Sequence, residues 1–277
     1  AAAITTTTTA TAMPDMVATP ALADDDILHF PRGAAAGDCV HAVFECIDFS
    51  SPALWPQAIA DTLREHGTAL PATVGPQGMA LRERMLLRML GDVLQTPLPV
   101  GRTQPLMLAD VPLARRLNEL EFHLPSHALE AGALNDALSM LGVPMPRLAF
   151  RTLRGYLKGF IDLVFEHEGR YFVLDWKSNH LGDTPADYAH AGVEAAMVEH
   201  GYHLQALLYC VALDRLLRSR VPGYDPAQHF GGAIYLFVRG VRPGWRDASG
   251  APTGVRILRP APEVIARMSA LFDERAA

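Results

Sequence analysis

The chain has 277 residues, 49% of them hydrophobic and 19% charged, which suits one large α/β domain or two small ones with a buried core. A net charge of -6, from 24 basic and 30 acidic residues, argues against a protein working mainly as a basic clamp on nucleic acid. Three cysteines, Cys39, Cys46 and Cys210, cannot build a disulfide framework or a four-cysteine metal or iron–sulfur cage, and no run of 18 apolar residues is free of charges and breakers, so a reducing, cytoplasmic setting is expected.

Residues 1–26 are rich in Ala, Thr and Asp and contain no Lys, Arg or aromatic residue. Such a stretch cannot bury enough surface to offset its ordering entropy. It also lacks the basic residues of a signal peptide. Residues 1–27 are therefore expected to be a disordered interdomain linker, cut from a preceding domain, with one domain over 28–277. Charge is divided unevenly: residues 1–150 carry 9 basic and 16 acidic residues, and residues 151–277 carry 15 and 14. The second half is the better approach for a phosphate backbone.

The helical N-terminal part comes next. Val40, Val43, Phe44 and Ile47 form an apolar stripe that predicts a helix over Gly33–Phe49. Pro56 suits the start of a second helix, Gln57–His66, closed by Gly67, and Leu81, Met85, Leu86 and Met89 mark a third over Gly78–Leu94. Asn118–Leu124 alternates as a strand with Leu120, Phe122 and Leu124 on one face and Pro125 as its end; Ser126–Leu141 reads as helix and loop. Tyr156–Phe165 and Tyr171–Trp176, joined by the polar turn Glu166–Arg170, predict a β-hairpin. Two helices follow over 187–199 and 202–219, then a strand over Gly232–Val238 and a closing helix over Pro262–Arg275. The succession indicates a mixed α/β fold.

Counting back along the hairpin from Glu166 opposite Tyr171 sets Asp162 opposite Asp175. Directly opposed residues have Cβ atoms about 4.5–5.5 Å apart. Asp175 and Lys177 share a face because side chains alternate; a one-residue slip would separate the carboxylates. Two carboxylates so close repel, and a hard divalent cation relieves the conflict by accepting oxygens from both. Such an ion polarises a phosphoryl oxygen and activates water, and a neighbouring ammonium stabilises developing charge. The alternative is a pair of solvent-facing strand-end carboxylates, but Ile161, Leu163, Val164, Leu174 and Trp176 surround them, and acids within apolar strands are costly unless paired or metal-bound. Only two of the 24 basic residues are lysines, Lys158 and Lys177, which suggests that position 177 needs an ammonium.

Asp162 with Asp175-Trp176-Lys177 resembles the PD-(D/E)xK nuclease motif. The wider text resembles the nuclease domain of RecB-type helicase–nucleases: Phe30-Pro31-Arg32-Gly33, Glu119-Leu120-Glu121-Phe122, Gly159–Asp162, Leu174–Asn179, Gln205-x-x-x-Tyr209 and His229–Leu236. The resemblance implies a restriction-endonuclease-like mixed sheet flanked by helices, covering residues 28–277. It also implies Mg2+ (Mn2+ substituting) held by His41, Asp162, Asp175 and the Trp176 carbonyl, with Lys177 catalytic. From the residues alone, His41 would pass for a solvent-exposed histidine. Glu119 matches the family's upstream acid, with Glu121 of the same parity as the alternative. Gln205 and Tyr209, on one helix face, are implied to contact DNA or orient the metal site.

Two departures stand out: Ile161 replaces the motif proline, and Trp176 stands where tyrosine is usual, with its side chain expected to pack on the face opposite Asp175. No G-x-x-x-x-G-K-[ST] occurs, so this chain carries no ATP-binding P-loop. The implied activity is exonucleolytic and endonucleolytic DNA hydrolysis of the exodeoxyribonuclease V type, in double-strand-break repair and recombination. A helicase would deliver single strands, and RecC-like and RecD-like subunits would be partners. Arg154, Arg239 and Arg242 are candidate phosphate contacts. A catalytically inactive structural or DNA-guiding module is the second reading.

Overall fold

The computed structural model describes residues 22–71, 75–142 and 146–273. Three N-terminal helices, α1 (Ala34–Cys46), α2 (Trp55–His66) and α3 (Gly75–Gln95), precede β1 (Arg116–Leu129) and α4 (Ala131–Ser139). The hairpin β2 (Leu153–His167) and β3 (Arg170–Lys177) leads into α5 (His190–Glu199), α6 (Tyr202–Arg220) and the single turn α7 (Pro226–His229). β4 (Phe230–Phe237), β5 (Val255–Leu258) and α8 (Pro262–Ala270) close the fold. The sheet runs β1-β2-β3-β4-β5, antiparallel except for β3 beside β4. That parallel step needs a long crossover, which α5 and α6 supply. The architecture is the mixed sheet with flanking helices and a helical N-terminal part that the sequence leads one to expect.

Each face of the sheet carries its own core. On one, Leu163, Phe165, Leu174, Trp176, Ile234 and Leu236 pack with the α1–α3 residues Val40, Val43, Phe44, Leu86 and Leu90. On the other, Val164, Val173, Ala233, Tyr235 and Phe237 pack with α5, α6 and α8. The helical stripes agree with the expected ones: Val40, Val43 and Phe44 are buried in α1, and Met85, Leu86 and Met89 in α3. The α1 helix can start abruptly because Gly33 adopts φ 99°, open to glycine and strained for other residues.

Several boundaries differ from expectation. Pro125 does not end β1; it pairs with Tyr156 inside the strand. β1 is an edge strand, where a missing N–H costs no ladder bond. The strand then continues to Leu129, so the stretch 126–141, read as helix and loop, opens with strand and its helix is Ala131–Ser139. β5 went unanticipated because its four residues, Val255–Leu258, are too few for a period-2 pattern to stand out. Of the expected linker, residues 1–21 lie outside the described residues. Its last residues belong to the fold: Asp25 pairs with Arg88 at 2.7 Å, Asp26 is buried against Arg242, and Ile27 is in the core.

Candidate active site

The β1–β2 ladder changes character at one place. Leu163 and Phe165 face the α1–α3 core, whereas Ile161, two residues from Leu163, faces the α6 core. Regular alternation would put Ile161 and Leu163 on the same side. β1 switches at the matching point: Asn118 donates to the Glu45 carbonyl of α1, while Leu120 packs on the α6 side. Glu119 and Asp162 are the residues at the switch, and Glu119 has φ 48°, a left-handed conformation uncommon outside glycine. The β2–β3 pairing keeps the expected register up to Leu163 opposite Leu174 and ends there. Beyond it the strands part, and the Asp162 Oδ2 accepts from the Trp176 N–H at 2.8 Å, replacing a ladder bond with a carboxylate.

The gap between the parted strands and α1 is a cleft of about 650 Å³, lined by Arg32, His41, Glu45, Glu119, Asp162 and Tyr202 among others. His41 projects from α1 with its Nδ1 3.4 Å from the Asp162 Oδ2. α1 lies close to the strand ends because residue 37 is glycine: a Cβ there would sit 3.0 Å from the Ser178 Oγ. Asp175, 2% exposed, lies 2.6 Å from the Lys177 Nζ through its Oδ2. Apart from that ammonium, the buried Asp175 Oδ2 has no donor beside it among the described residues.

The electrostatics follow from this crowding. Burial, and then the charge of Asp162, push the Asp175 carboxyl well above the usual carboxylate range, against the pull of Lys177 and His41. Burial opposes the charged form of His41, but its contact with Asp162 and the charge of Asp175 outweigh it, so its pKa is raised. Burial, then the charges of Glu45 and Asp162, raise Glu119. The donor chemistry, one imidazole and two carboxylates, one of whose oxygens has only the ammonium beside it, suits a hard divalent cation. Each donor is nonetheless turned to a protein neighbour, and among the described residues no three His, Cys, Asp or Glu side chains form a ready-made cage.

Lys177 has an ordered setting. Its Nζ donates to the Gln205 Oε1 at 3.0 Å and lies 3.8 Å from the centre of the Tyr202 ring. Gln205 Nε2 donates to the Tyr209 hydroxyl at 2.8 Å, and the Tyr235 hydroxyl donates to Gln205 Oε1 at 3.2 Å. Tyr209 is buried, so the pair sits behind Lys177 and orients it. The Trp176 ring packs on the opposite face, stacked on Phe44 with centroids 3.9 Å apart, as expected.

The fold brings His41, Glu119, Asp162, Asp175, Lys177, Gln205 and Tyr209 to one place. Glu121 is elsewhere, on the exposed face, bound to His123 at 2.6 Å and Lys158 at 3.1 Å. Two of the candidate phosphate contacts are structural instead. Arg239, 1% exposed, donates to the carbonyls of Ile27, Phe30, Pro31 and Ser178. Arg242 is spent on Asp26. Tyr202 and Tyr235 went unnoticed in the sequence, although Tyr202 lies one helical turn before Gln205, a spacing that shares its face.

The PD-(D/E)XK nuclease superfamily matches over residues 27–276. The chain is 39% identical over 247 residues to the RecBCD enzyme subunit RecB of Escherichia coli (strain K12), covering 88% of this chain and 19% of that protein. It is 36% identical over 269 residues to the RecBCD enzyme subunit RecB of Mycobacterium tuberculosis (strain CDC 1551 / Oshkosh), covering 88% and 24%. With the RecBCD enzyme subunit RecB of Haemophilus influenzae the identity is 34% over 255 residues, covering 90% and 19%. The match thus spans about a fifth to a quarter of these relatives' length.

Proposed function

The chain belongs to the PD-(D/E)XK nuclease superfamily, and from that premise we propose that it hydrolyses DNA phosphodiesters in a Mg2+-dependent reaction, as the nuclease domain of a RecBCD-type helicase–nuclease. What carries the reading is the convergence of four side chains: His41 from α1 and Asp162 from β2 meet on the cleft wall, and the buried pair Asp175 and Lys177 from β3 lies close enough to feel the charges of both. His41, Asp162, Asp175 and the Trp176 carbonyl would hold the ion, with Mn2+ as a substitute. When bound, it supplies a Lewis acid that polarises the phosphodiester and lowers the pKa of water.

The chain's own residues do the rest. Lys177 brings an ammonium to charge developing on the phosphate oxygens. Gln205, backed by Tyr209 and Tyr235, and the Tyr202 ring hold that ammonium in place. Water adds across the P–O bond, leaving phosphate on one product and a hydroxyl on the other. Glu119 adds negative charge at the cleft wall, which favours a cation there.

In the whole enzyme, a helicase would feed single strands to the cleft in the cytoplasm, with RecC-like and RecD-like subunits as partners in double-strand-break repair and recombination. That setting accommodates the weak overall charge. Release of acid-soluble nucleotides from single-stranded DNA in Mg2+ tests the reading. Asp175→Ala and Lys177→Ala should each lower the rate at least 10²-fold with the circular dichroism spectrum unchanged. A wild-type rate in Asp175→Ala would overturn it.

A further inference from the structure

β1 and β2 continue past the active cleft as a two-stranded arm whose inner face, with Phe122, Leu124 and Ile161, packs towards α6. Among the described residues nothing covers its outer face. Along β2 that face carries Tyr156, Lys158 and Phe160, which alternate onto one side and are paired with Pro125, His123 and Glu121. Tyr156 is 76% exposed and Phe160 43%, among the most exposed large apolar side chains described. The two rings stand about 13 Å apart along the strand, from a rise of about 3.3 Å per residue. The Lys158 Nζ lies between them, 5.0 Å from the Phe160 ring centre.

Charge favours an anionic occupant. From Arg151 to Ile161 the chain carries Arg151, Arg154 and Lys158 and no acid. On β1, Glu121 is already bound to His123 and Lys158. The face begins two residues from Asp162 and runs to a second open cleft of about 640 Å³ at the far end, lined by Phe150, Arg151, Arg154 and also Glu130.

We propose that this outer face is a track for single-stranded DNA: bases stack on Tyr156 and Phe160 while Lys158 and Arg154 follow the phosphates, leading the strand towards Asp162. Exposed rings interleaved with cations are what sequence-independent single-strand binding uses. The proposal rests on the nuclease reading for its direction, but binding on this face does not require hydrolysis.

Fluorescence anisotropy of labelled oligothymidylate with the full chain, without metal, measures the track alone. Tyr156→Ala and Phe160→Ala should each weaken binding about tenfold. Tyr156→Trp should restore it, with tryptophan emission quenched on DNA addition. Hydrolysis of bis(4-nitrophenyl) phosphate in Mn2+, too small to use the track, should be unchanged in all three. Unchanged oligothymidylate affinity in the Tyr156→Ala/Phe160→Ala double variant would overturn the track and leave the face to a protein partner. If the parent fails to hydrolyse any phosphodiester but loses DNA binding in these variants, the nuclease reading falls and the track stands.

Discussion

Asp162 has two duties that one substitution can separate. Its carboxylate replaces a ladder bond at the Trp176 N–H, and its charge burdens Asp175. Asparagine keeps the acceptor and removes the charge. Asp162→Asn is therefore expected to melt at the wild-type temperature or a few degrees higher, while nuclease activity falls at least 10²-fold. A drop of many degrees by differential scanning calorimetry would contradict this. Trp176 shows the opposite division: its ring is 2% exposed and stacked on Phe44, away from the cleft. Trp176→Ala should cost about 3–5 kcal/mol in urea unfolding, whereas Trp176→Phe should retain activity. These residues were readable in advance because hairpin counting needs only the turn and the alternation. Tyr202 was not: its spacing puts it on the Gln205 face, but its value lies in a ring 3.8 Å from Lys177, a helix-to-strand contact that spacing within one helix does not report.

At the level of elements, the segment before α1 is held by two arginines from the turn after β4. Arg239 gathers the carbonyls of residues 27, 30 and 31 and of Ser178, joining the approach to His41 with the loop after Lys177. Arg242 pairs with Asp26. Burial raises the Asp26 pKa, but the Arg242 hydrogen bond, the Leu28 N–H and the charges of Arg242 and Arg88 outweigh it, so the folded value is lowered. A depressed folded value contributes stability that is fully present above the unfolded value of about 3.9 and disappears as pH falls through the folded one. Asp26→Asn should then cost about 3 kcal/mol at pH 7. Its gap to wild type should narrow below about pH 4; a gap independent of pH in urea titrations would contradict the ion pair's role. Sequence patterning could not anticipate this clasp. Asp25 and Asp26 fall within the expected linker because their partners, Arg88 and Arg242, lie far along the chain.

Across the whole molecule, the decisive feature is the parting of β2 from β3 at Asp162. The mixed sheet, the helix stripes and the hairpin register were legible because burial on a sheet face or helix stripe imposes a period. The switch at Glu119 and Asp162 was not, because it breaks that period in both strands at once, and a left-handed glutamate leaves no mark in composition. The switch opens the cleft and places the acids beside His41. Phosphodiester hydrolysis at this site depends on that cleft accepting a cation. Anomalous diffraction from crystals soaked in Mn2+ tests it directly: one peak within about 2.3 Å of the His41, Asp162 and Asp175 donors is expected, and a peak only elsewhere, or none at saturating Mn2+, would contradict the account.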